Sequence, residues 1–384
     1  MKTITTTDEL RDFCDRAARH PYVTVDTEFL RERTYYSKLC LLQLAYPGLG
    51  EETAVLVDPL VEGLSLDPVW DLCRNPDVVK VFHAARQDVE IFFHDGGLIP
   101  APLFDTQVAA MVCGFGEQVG YETLVKRIAR ASLDKSSRFT DWSRRPLTDA
   151  QKTYALADVT HLRVIYEYLS AELEKAGRKQ WVEEEIEVLT NPETYISRPE
   201  EAWKRVKTRT QSGKFMGVVA ALAEFRETYA QTRNVPRSRV FKDDVLLELA
   251  STKPRSAADL GKSRLLLREA RKGDIADGIL AAVEKGLSGP GEAVSRRDEP
   301  EKPNGNQALA ELLRVLLKAK AESAGVAQKL IATAAELDAI ANGDRDVLAL
   351  KGWRAQVFGD DALRLCEGRI ALSARGSEVR IVEI

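Results

Sequence analysis

The sequence lacks any long hydrophobic segment. None of its 384 residues belongs to an apolar run approaching the length of about 18 residues that a membrane-spanning helix needs. The chain also does not begin with a basic stretch followed by an apolar core, the pattern of a signal peptide. These absences argue against a membrane-spanning helix and against a signal peptide. We therefore expect a cytoplasmic protein.

Cysteine is scarce and scattered. The five cysteines are Cys14, Cys40, Cys73, Cys113 and Cys366, and no two of them have C-x-x-C spacing. An odd number without paired spacing argues against a disulfide framework and against structural zinc. We expect most of them to be small buried hydrophobic residues.

An excess of positive charge is also missing. The chain has 55 Lys and Arg against 59 Asp and Glu, a formal net charge of -4 at pH 7. No overall positive field would therefore attract nucleic acid. Any site for a polyanion must be local.

The length and the order of elements predict several domains. Three strands followed by strand-helix alternation indicate one mixed-sheet α/β domain over residues 1–175. Short helices joined by short loops indicate a small bundle over 195–286. Residues 287–307, rich in Gly, Pro and charge, are typical of a linker. A second helical set over 308–384 could be a divergent copy of the first, and its last residues could pair as a hairpin or fray.

Two carboxylates stand out in the segment from Tyr22 to Tyr46. The alternation of Val23 and Val25 predicts a strand, so Asp26 and Glu28 project from one face of it. Carboxylates placed together repel each other and need either water or a cation between them. A solvated face is the commoner explanation, and a metal site requires further carboxylates.

Further carboxylates follow on two predicted helices. Asp88 lies on a helix whose apolar stripe does not settle which way this aspartate points. In the long helix that begins after Thr148, Tyr154 and Asp158 are four residues apart and share one face. Tyr154 alone could equally be a core tyrosine.

The segments VDTEF, VFHAARQDVEIF and YALADVTHL are similar, in order and spacing, to the three exonuclease motifs of the tyrosine-bearing branch of the DEDD superfamily. Within it, the chain resembles the bacterial ribonuclease D family most closely, through TEFLRERTYYSKLCLLQLA and DKSSRFTDWSRRPL. The segments EAWKRVK and VPRSRVFKDDVLLELA resemble that family's HRDC domain, while the second helical set matches more weakly.

The resemblance implies a fold, an activity and a set of ligands. It implies an α/β ribonuclease H-like exonuclease domain, a mixed sheet flanked by helices, followed by two small all-α bundles. It implies 3′–5′ trimming of RNA, notably transfer RNA precursors, with release of nucleoside 5′-monophosphates. Carried over by position, the metal ligands are Asp26, Glu28, Asp88 and Asp158, and the tyrosine is Tyr154.

The chemistry of these residues is consistent with that reading. Four carboxylates balance the charge of two divalent cations about 4 Å apart, which can attract a phosphodiester and activate water. Ligands that are all oxygen favour Mg²⁺ or Mn²⁺. With an unperturbed pKa of about 10, Tyr154 is better suited to orienting a water than to deprotonating it.

Seven further residues are candidates for holding RNA: Phe29, Gln43, His83, Gln87, Lys135, Trp142 and Arg145. The first two could meet terminal bases, although core packing competes for Phe29. His83 and Gln87 flank Asp88 and could support it, but a structural histidine is as good an explanation. The last three belong to a loop that could contact phosphates or could simply be solvated.

Two other functions remain open at this point. The same carboxylates would serve a 3′–5′ DNA exonuclease, since only contacts to the 2′-OH distinguish RNA from DNA. A catalytically silent RNA-binding scaffold is a third possibility, although such proteins usually lose a ligand. We expect a monomer whose partner is RNA with a free 3′ end, with no membrane partner.

Overall fold

The structure is a computed structural model that describes residues 2–134, 136–138, 140–208, 212–289 and 306–384. The described residues form two compact units. The first contains those of 1–28, 40–194 and 302–384, and the second contains those of 29–39 and 195–301. The C-terminal helices thus group with the N-terminal domain, whereas the short segment 29–39 groups with the helical segment from 195 onwards. The predicted domain boundaries stay predictions, and most of the predicted linker lies outside the described residues.

The strands form two sheets. They are β1 Thr3–Ile4, β2 Tyr22–Leu30, β3 Lys38–Ala45, β4 Ala54–Val57, β5 Val79–Phe82, β6 Leu103–Asp105, β7 Ile370–Arg375 and β8 Glu378–Glu383. The larger sheet has the order β1-β4-β3-β2-β5-β6, and β7 pairs antiparallel with β8. The C-terminal residues therefore form a hairpin, one of the two predicted alternatives.

Three stretches of the chain supply the helices. Those of the N-terminal part are α1 Thr7–Ala17, α2 Asp67–Arg74, α3 Arg86–Gly96, α4 Thr106–Val112, α5 Tyr121–Leu124, α6 Asp149–Ala176 and α7 Lys179–Thr190. The second unit contains α8 Gly213–Thr232, α9 Arg237–Val240, α10 Asp243–Thr252, α11 Ala257–Lys262 and α12 Gly273–Ser288. The C-terminal part contains α13 Gln307–Ala324, α14 Gln328–Ile331, α15 Ala334–Ala341, α16 Gly352–Arg354 and α17 Asp360–Cys366. Within the described part of the chain, no helix is both long and apolar enough to cross a membrane.

The large sheet is mixed, which confirms the predicted fold class. β3 runs antiparallel to β4, whereas β2, β5 and β6 are parallel neighbours. The carboxyl ends of parallel strands meet at one edge of a sheet, where α/β proteins commonly place their sites. The ends of β2 and β5 therefore bring Glu28 and the start of α3 to the same edge.

The long helix α6 begins and ends at residues with clear local causes. Thr148 and Gln151 form a capping box, in which the Thr148 hydroxyl accepts from the Gln151 amide and the Gln151 side chain accepts from the Thr148 amide. Gly177 ends the helix with a φ of 65°, a left-handed conformation that glycine adopts without a steric penalty. Between these ends, α6 places Tyr154 and Asp158 about one and a half and two and a half turns from its start.

The C-terminal helices pack on the end of the N-terminal part. The Arg178 guanidinium donates to the Ala324 carbonyl at 2.6 Å, and the indole of Trp181 stacks on that of Trp353 at 4.5 Å between ring centroids. The Trp353 indole N–H donates to Glu185 at 3.1 Å. These contacts join α7 to the C-terminal helices through buried aromatic surface.

Candidate active site

Three carboxylates meet at the edge of the sheet where β2 ends. Asp26 and Glu28 project from one face of β2, and Asp158 comes from α6. Each offers an oxygen atom, and these oxygens all lie within 4.8 Å of one another. The two strand carboxylates are half-buried, and Asp158 is only 8% exposed. The structure thus brings together three of the four predicted metal ligands.

Hydrogen bonds to the backbone of α6 fix the position of Asp158. The Thr24 hydroxyl on β2 lies 2.9 Å from the carbonyl oxygen of Val159. On the other side, the Tyr121 hydroxyl donates to the carbonyl of Asp158 itself. Val159 also packs against Ala45 of β3. Sequence reasoning missed the roles of Thr24 and Tyr121, because a bond to a backbone carbonyl leaves no motif.

Asp88, the fourth predicted ligand, is held close to the strand by Thr27. The Thr27 hydroxyl donates to Asp88 Oδ1 at 2.5 Å, and both residues are buried. The start of α3 is set by Asp105 at the end of β6, whose carboxylate accepts from the amides of Ala84 and Ala85 at 3.0 and 2.8 Å. Asp88 therefore points toward the sheet, which periodicity alone did not settle.

Burial and the negative charge of neighbouring carboxylates raise the pKa values of the carboxyl groups in this cluster. Burial first, and then the neighbouring charges of Asp26, Asp158 and Asp88, raise the pKa of Glu28 to about 10. Burial raises the pKa of Asp158 to about 7. Burial and the charge of a partner carboxylate hold the pKa values of Asp26 and Asp88 well above the usual range.

Tyr154 belongs to this cluster. Its hydroxyl donates a hydrogen bond to Asp158, which lowers the pKa of that carboxyl group against the effect of burial. Burial and the charges of Asp158 and Glu28 raise the pKa of Tyr154 itself. The shared helix face predicted from their spacing is thus present, and the phenol keeps its proton at neutral pH.

Arg138, which lies in the basic loop predicted to suit RNA phosphates, is a cation near this cluster. Its charge lowers the pKa values of Glu28, Tyr154 and Asp158 against the dominant effect of burial. The only sequence signal was its place in the basic loop before α6. This guanidinium partly offsets the negative charge of the cluster.

Four of the predicted RNA-holding residues lie on the strands and on the segment around α3. Phe29 follows Glu28 in β2 and is half-buried. Gln43 of β3 is buried, and neither side-chain polar atom has a hydrogen-bond partner among the described residues. His83 Nδ1 lies 3.0 Å from the Thr106 hydroxyl, and burial lowers its pKa. Gln87 is exposed on α3. Contact of these four with RNA stays a prediction.

The other three predicted RNA-holding residues belong to the loop before α6. Lys135 lies outside the described residues. Trp142 is 2% exposed, with its ring centroid 6.1 Å from that of Tyr154. Arg145 makes a bidentate pair with Asp58 at 2.5 and 2.6 Å and also donates to the carbonyls of Cys40, Trp142 and Arg144. These five bonds use every N–H of its guanidinium, so the structure gives Arg145 a structural role.

The cluster fits a hard divalent cation. All its donors are carboxylate oxygens, the ligand type that Mg²⁺ and Mn²⁺ prefer, and there is no His or Cys among them. The raised pKa values mean that the negatively charged forms of these groups are unfavourable in the folded chain. A bound cation would stabilise the charged forms. The geometry is therefore suited to binding a cation.

The first 174 residues match the family model of the 3′–5′ exonuclease domain, and residues 215–283 match that of the HRDC domain. The chain is 66% identical over 383 residues to ribonuclease D of Jannaschia sp., covering 100% of this chain and 99% of that one. It is 49% identical to ribonuclease D of Nitrobacter hamburgensis, covering 99% of both chains. The chain belongs to the ribonuclease D family.

The solved structures agree with that assignment. The crystal structure of Escherichia coli RNase D, described as an exoribonuclease involved in structured RNA processing, matches with a TM-score of 0.81 and 28% identity. The match covers 96% of this chain and 98% of that one. As a ribonuclease D, the protein is a 3′–5′ exoribonuclease that acts on RNA, and the DNA exonuclease and silent scaffold alternatives are not favoured. The exonuclease family uses divalent metals, in agreement with the oxygen-only cluster.

The structural role of Arg145 is testable by substitution. Arg145→Met should lower the free energy of unfolding by about 2–4 kcal/mol, because it leaves the Asp58 carboxylate, with a side chain 9% exposed, without its cation. Arg144→Met is the matched control, since its side chain is 84% exposed and should change stability by less than about 0.5 kcal/mol. Denaturant unfolding followed by circular dichroism measures both. Unchanged stability with weaker RNA binding in Arg145→Met would support the phosphate contact instead.

The raised pKa values predict how stability depends on pH in EDTA. A carboxyl group whose pKa is raised by folding stabilises the fold below its unfolded pKa of about 4, and this contribution is lost as pH rises through the folded value. For Asp158 the loss falls between about pH 4 and 7. Asp158→Asn should therefore be more stable than the wild type at pH 8, by on the order of 2 kcal/mol, and not at pH 4.

Asp12→Asn, which alters an exposed carboxylate on α1, is the matched control and should show no such gain. Thermal unfolding at the two pH values gives the comparison. Equal stability of Asp158→Asn and the wild type at pH 8 would contradict the raised pKa of Asp158.

Proposed function

We propose that the protein trims the 3′ ends of structured RNA, transfer RNA precursors among them, with Asp26, Glu28, Asp88 and Asp158 holding two divalent cations, Mg²⁺ or Mn²⁺. The observation that carries this proposal is the convergence of carboxylate oxygens within 4.8 Å in a buried setting that raises their pKa values. When bound, the two cations would supply charge neutralisation and activation of the attacking water. The products would be nucleoside 5′-monophosphates.

The chain's own residues would divide the remaining work. The four carboxylates bind and space the cations, and the protein needs no strong general base of its own. Thr24, Thr27 and Tyr121 hold the carboxylates in place through hydrogen bonds. Such preorganisation is what makes a metal site effective.

Tyr154 would orient the attacking water. Its hydroxyl has one proton, and that proton is donated to Asp158. The phenol oxygen therefore remains free to accept a hydrogen bond from a water O–H. Because the pKa of Tyr154 is raised, the phenol acts as a hydrogen-bonding group and not as a base.

The metal roles are tested with an RNA strand labelled at its 5′ end. The wild type should shorten it from the 3′ end in Mg²⁺ or Mn²⁺, stop in EDTA, and fail on a strand that ends in a 3′-phosphate. Asp26→Asn should lose orders of magnitude in rate with its fold intact, since one lost charge weakens cation binding without opening a cavity. Asp12→Asn should retain full activity. Wild-type turnover by a folded Asp26→Asn protein would refute the assignment.

Tyr154→Phe separates water orientation from core packing because it deletes only the hydroxyl. We expect the single-turnover rate to fall by about 10- to 10³-fold, the range for a positioned hydrogen bond in a transition state, with little change in melting temperature. Tyr168→Phe, on an exposed part of the same helix, is the control and should leave the rate unchanged. A normal rate with reduced stability would make Tyr154 a core residue.

A further inference from the structure

The segment 29–39, here called the strap, connects the catalytic strand to the second unit. β2 runs without a break from Asp26 through Glu28 into Phe29 and Leu30. From Phe29 to Leu39 the chain groups with residues 195–301, and at Lys38 it enters β3. β2 and β3 are neighbours at the centre of the large sheet. The unit that contains the HRDC domain therefore holds the connection between the two central strands.

Tyr35 of the strap makes several contacts within this unit. Its hydroxyl donates to Glu227, and it accepts from Gln231 Nε2 at 3.2 Å and from Arg237 at 2.9 Å. The Arg237 guanidinium also lies over the Tyr35 ring, 4.8 Å from its centroid. The ring packs against the hydrophobic core of the unit. One side chain thus combines apolar burial, a cation–π contact and three hydrogen bonds.

Glu227 is the buried charge around which these contacts are arranged. Its residue is 1% exposed, and Arg237 pairs with both of its oxygens. Ser197 donates to it at 2.8 Å, and Arg205 lies 2.9 Å away. A buried carboxylate with this many donors remains charged and has little freedom to move. We call Tyr35, Glu227 and Arg237 the latch.

The strap backbone is tied down next to the latch. Asn234 Oδ1 accepts from the amides of both Tyr35 and Tyr36, at 3.0 and 3.1 Å. Asn234 itself has a φ of 48°, a left-handed conformation that asparagine tolerates better than most residues. By contrast, the side chains of Arg31, Glu32 and Arg33 are exposed. The contacts around Tyr35 and Tyr36 therefore tie this part of the strap to the second unit.

We propose that Tyr35, Glu227 and Arg237 are positioning residues for the exonuclease reaction, which act by fixing the strap and, through the continuous strand β2, the position of Glu28. The proposal rests on the metal-binding role proposed for Glu28. A small hard cation requires near-ideal placement of its oxygen ligands. If the end of β2 becomes more mobile, part of the binding free energy of the cation is needed to order it. The affinity for the cation therefore falls.

Tyr35→Phe tests this with a direct measurement of metal binding. The variant keeps the ring and leaves Glu227 paired with Arg237, so the second unit should remain folded. We expect its dissociation constant for Mn²⁺, from electron paramagnetic resonance of the free ion, to rise about threefold to tenfold, as for loss of one net hydrogen bond. The single-turnover rate should fall at low Mn²⁺ and recover at high Mn²⁺. A purely structural tyrosine would not give recovery by metal.

Arg226→Lys is the matched control for destabilisation of the same unit. Arg226 precedes Glu227 in α8, but its buried side chain pairs with Asp243 at 2.7 Å and donates to the Phe241 carbonyl, and neither partner belongs to the latch. It should lower the melting temperature and leave Mn²⁺ affinity unchanged. The single variants Tyr35→Phe and Glu227→Gln and the double variant that combines them can be compared. The double variant should bind Mn²⁺ no more weakly than whichever single variant has the lower affinity, because both substitutions act through one latch.

The outcomes distinguish this proposal from the metal assignment. If the wild type binds no Mn²⁺, or Asp26→Asn binds it equally well, the metal assignment itself fails. If Asp26→Asn loses Mn²⁺ but Tyr35→Phe binds as the wild type does, the latch does not position the site. Equal weakening by Arg226→Lys would likewise overturn the latch, since general destabilisation would then explain the effect.

Discussion

The burial of Asp26, Glu28 and Asp158 side by side is the constraint on which the rest of the structure depends. Three carboxylates whose oxygens lie within 4.8 Å of one another oppose folding unless other contacts hold them there. Those contacts are ordinary ones: a threonine hydroxyl and a half-buried tyrosine hydroxyl on backbone carbonyls, and apolar packing of α6 on the sheet. The free energy of the core is thus used to assemble a site that is unfavourable by itself.

That constraint also explains how the work is divided around the site. The carboxylates supply negative charge for binding cations. The hydrogen bond from Tyr154 lowers the pKa of Asp158, and the positive charge of Arg138 lowers the pKa values of Asp158 and Glu28. Because burial and neighbouring charge keep Tyr154 protonated, this phenol is suited to hydrogen bonding and not to removing a proton from water. The exonuclease family uses divalent metals, and the cluster of carboxylate oxygens agrees with this.

The two helical regions have different relations to the catalytic strands. The C-terminal helices pack on α7 through stacked indoles and belong to the same compact unit as the sheet. The HRDC-containing unit instead takes in the strap between β2 and β3, fastened at Tyr35. The positioning role proposed for Tyr35 would act through the continuity of this segment with β2.

The sequence by itself determined the fold class, the family and the positions of the acidic motifs, because these are local patterns: alternation on a strand, four-residue spacing on a helix, and a capping box at Thr148. Only the tertiary structure decided which way Asp88 points and which unit the strap belongs to. It also showed that every guanidinium N–H of Arg145 donates to Asp58 or to a backbone carbonyl. Periodicity reports which residues share a face. It does not report which distant backbone carbonyl or buried carboxylate a side chain will meet, since that depends on how whole elements pack.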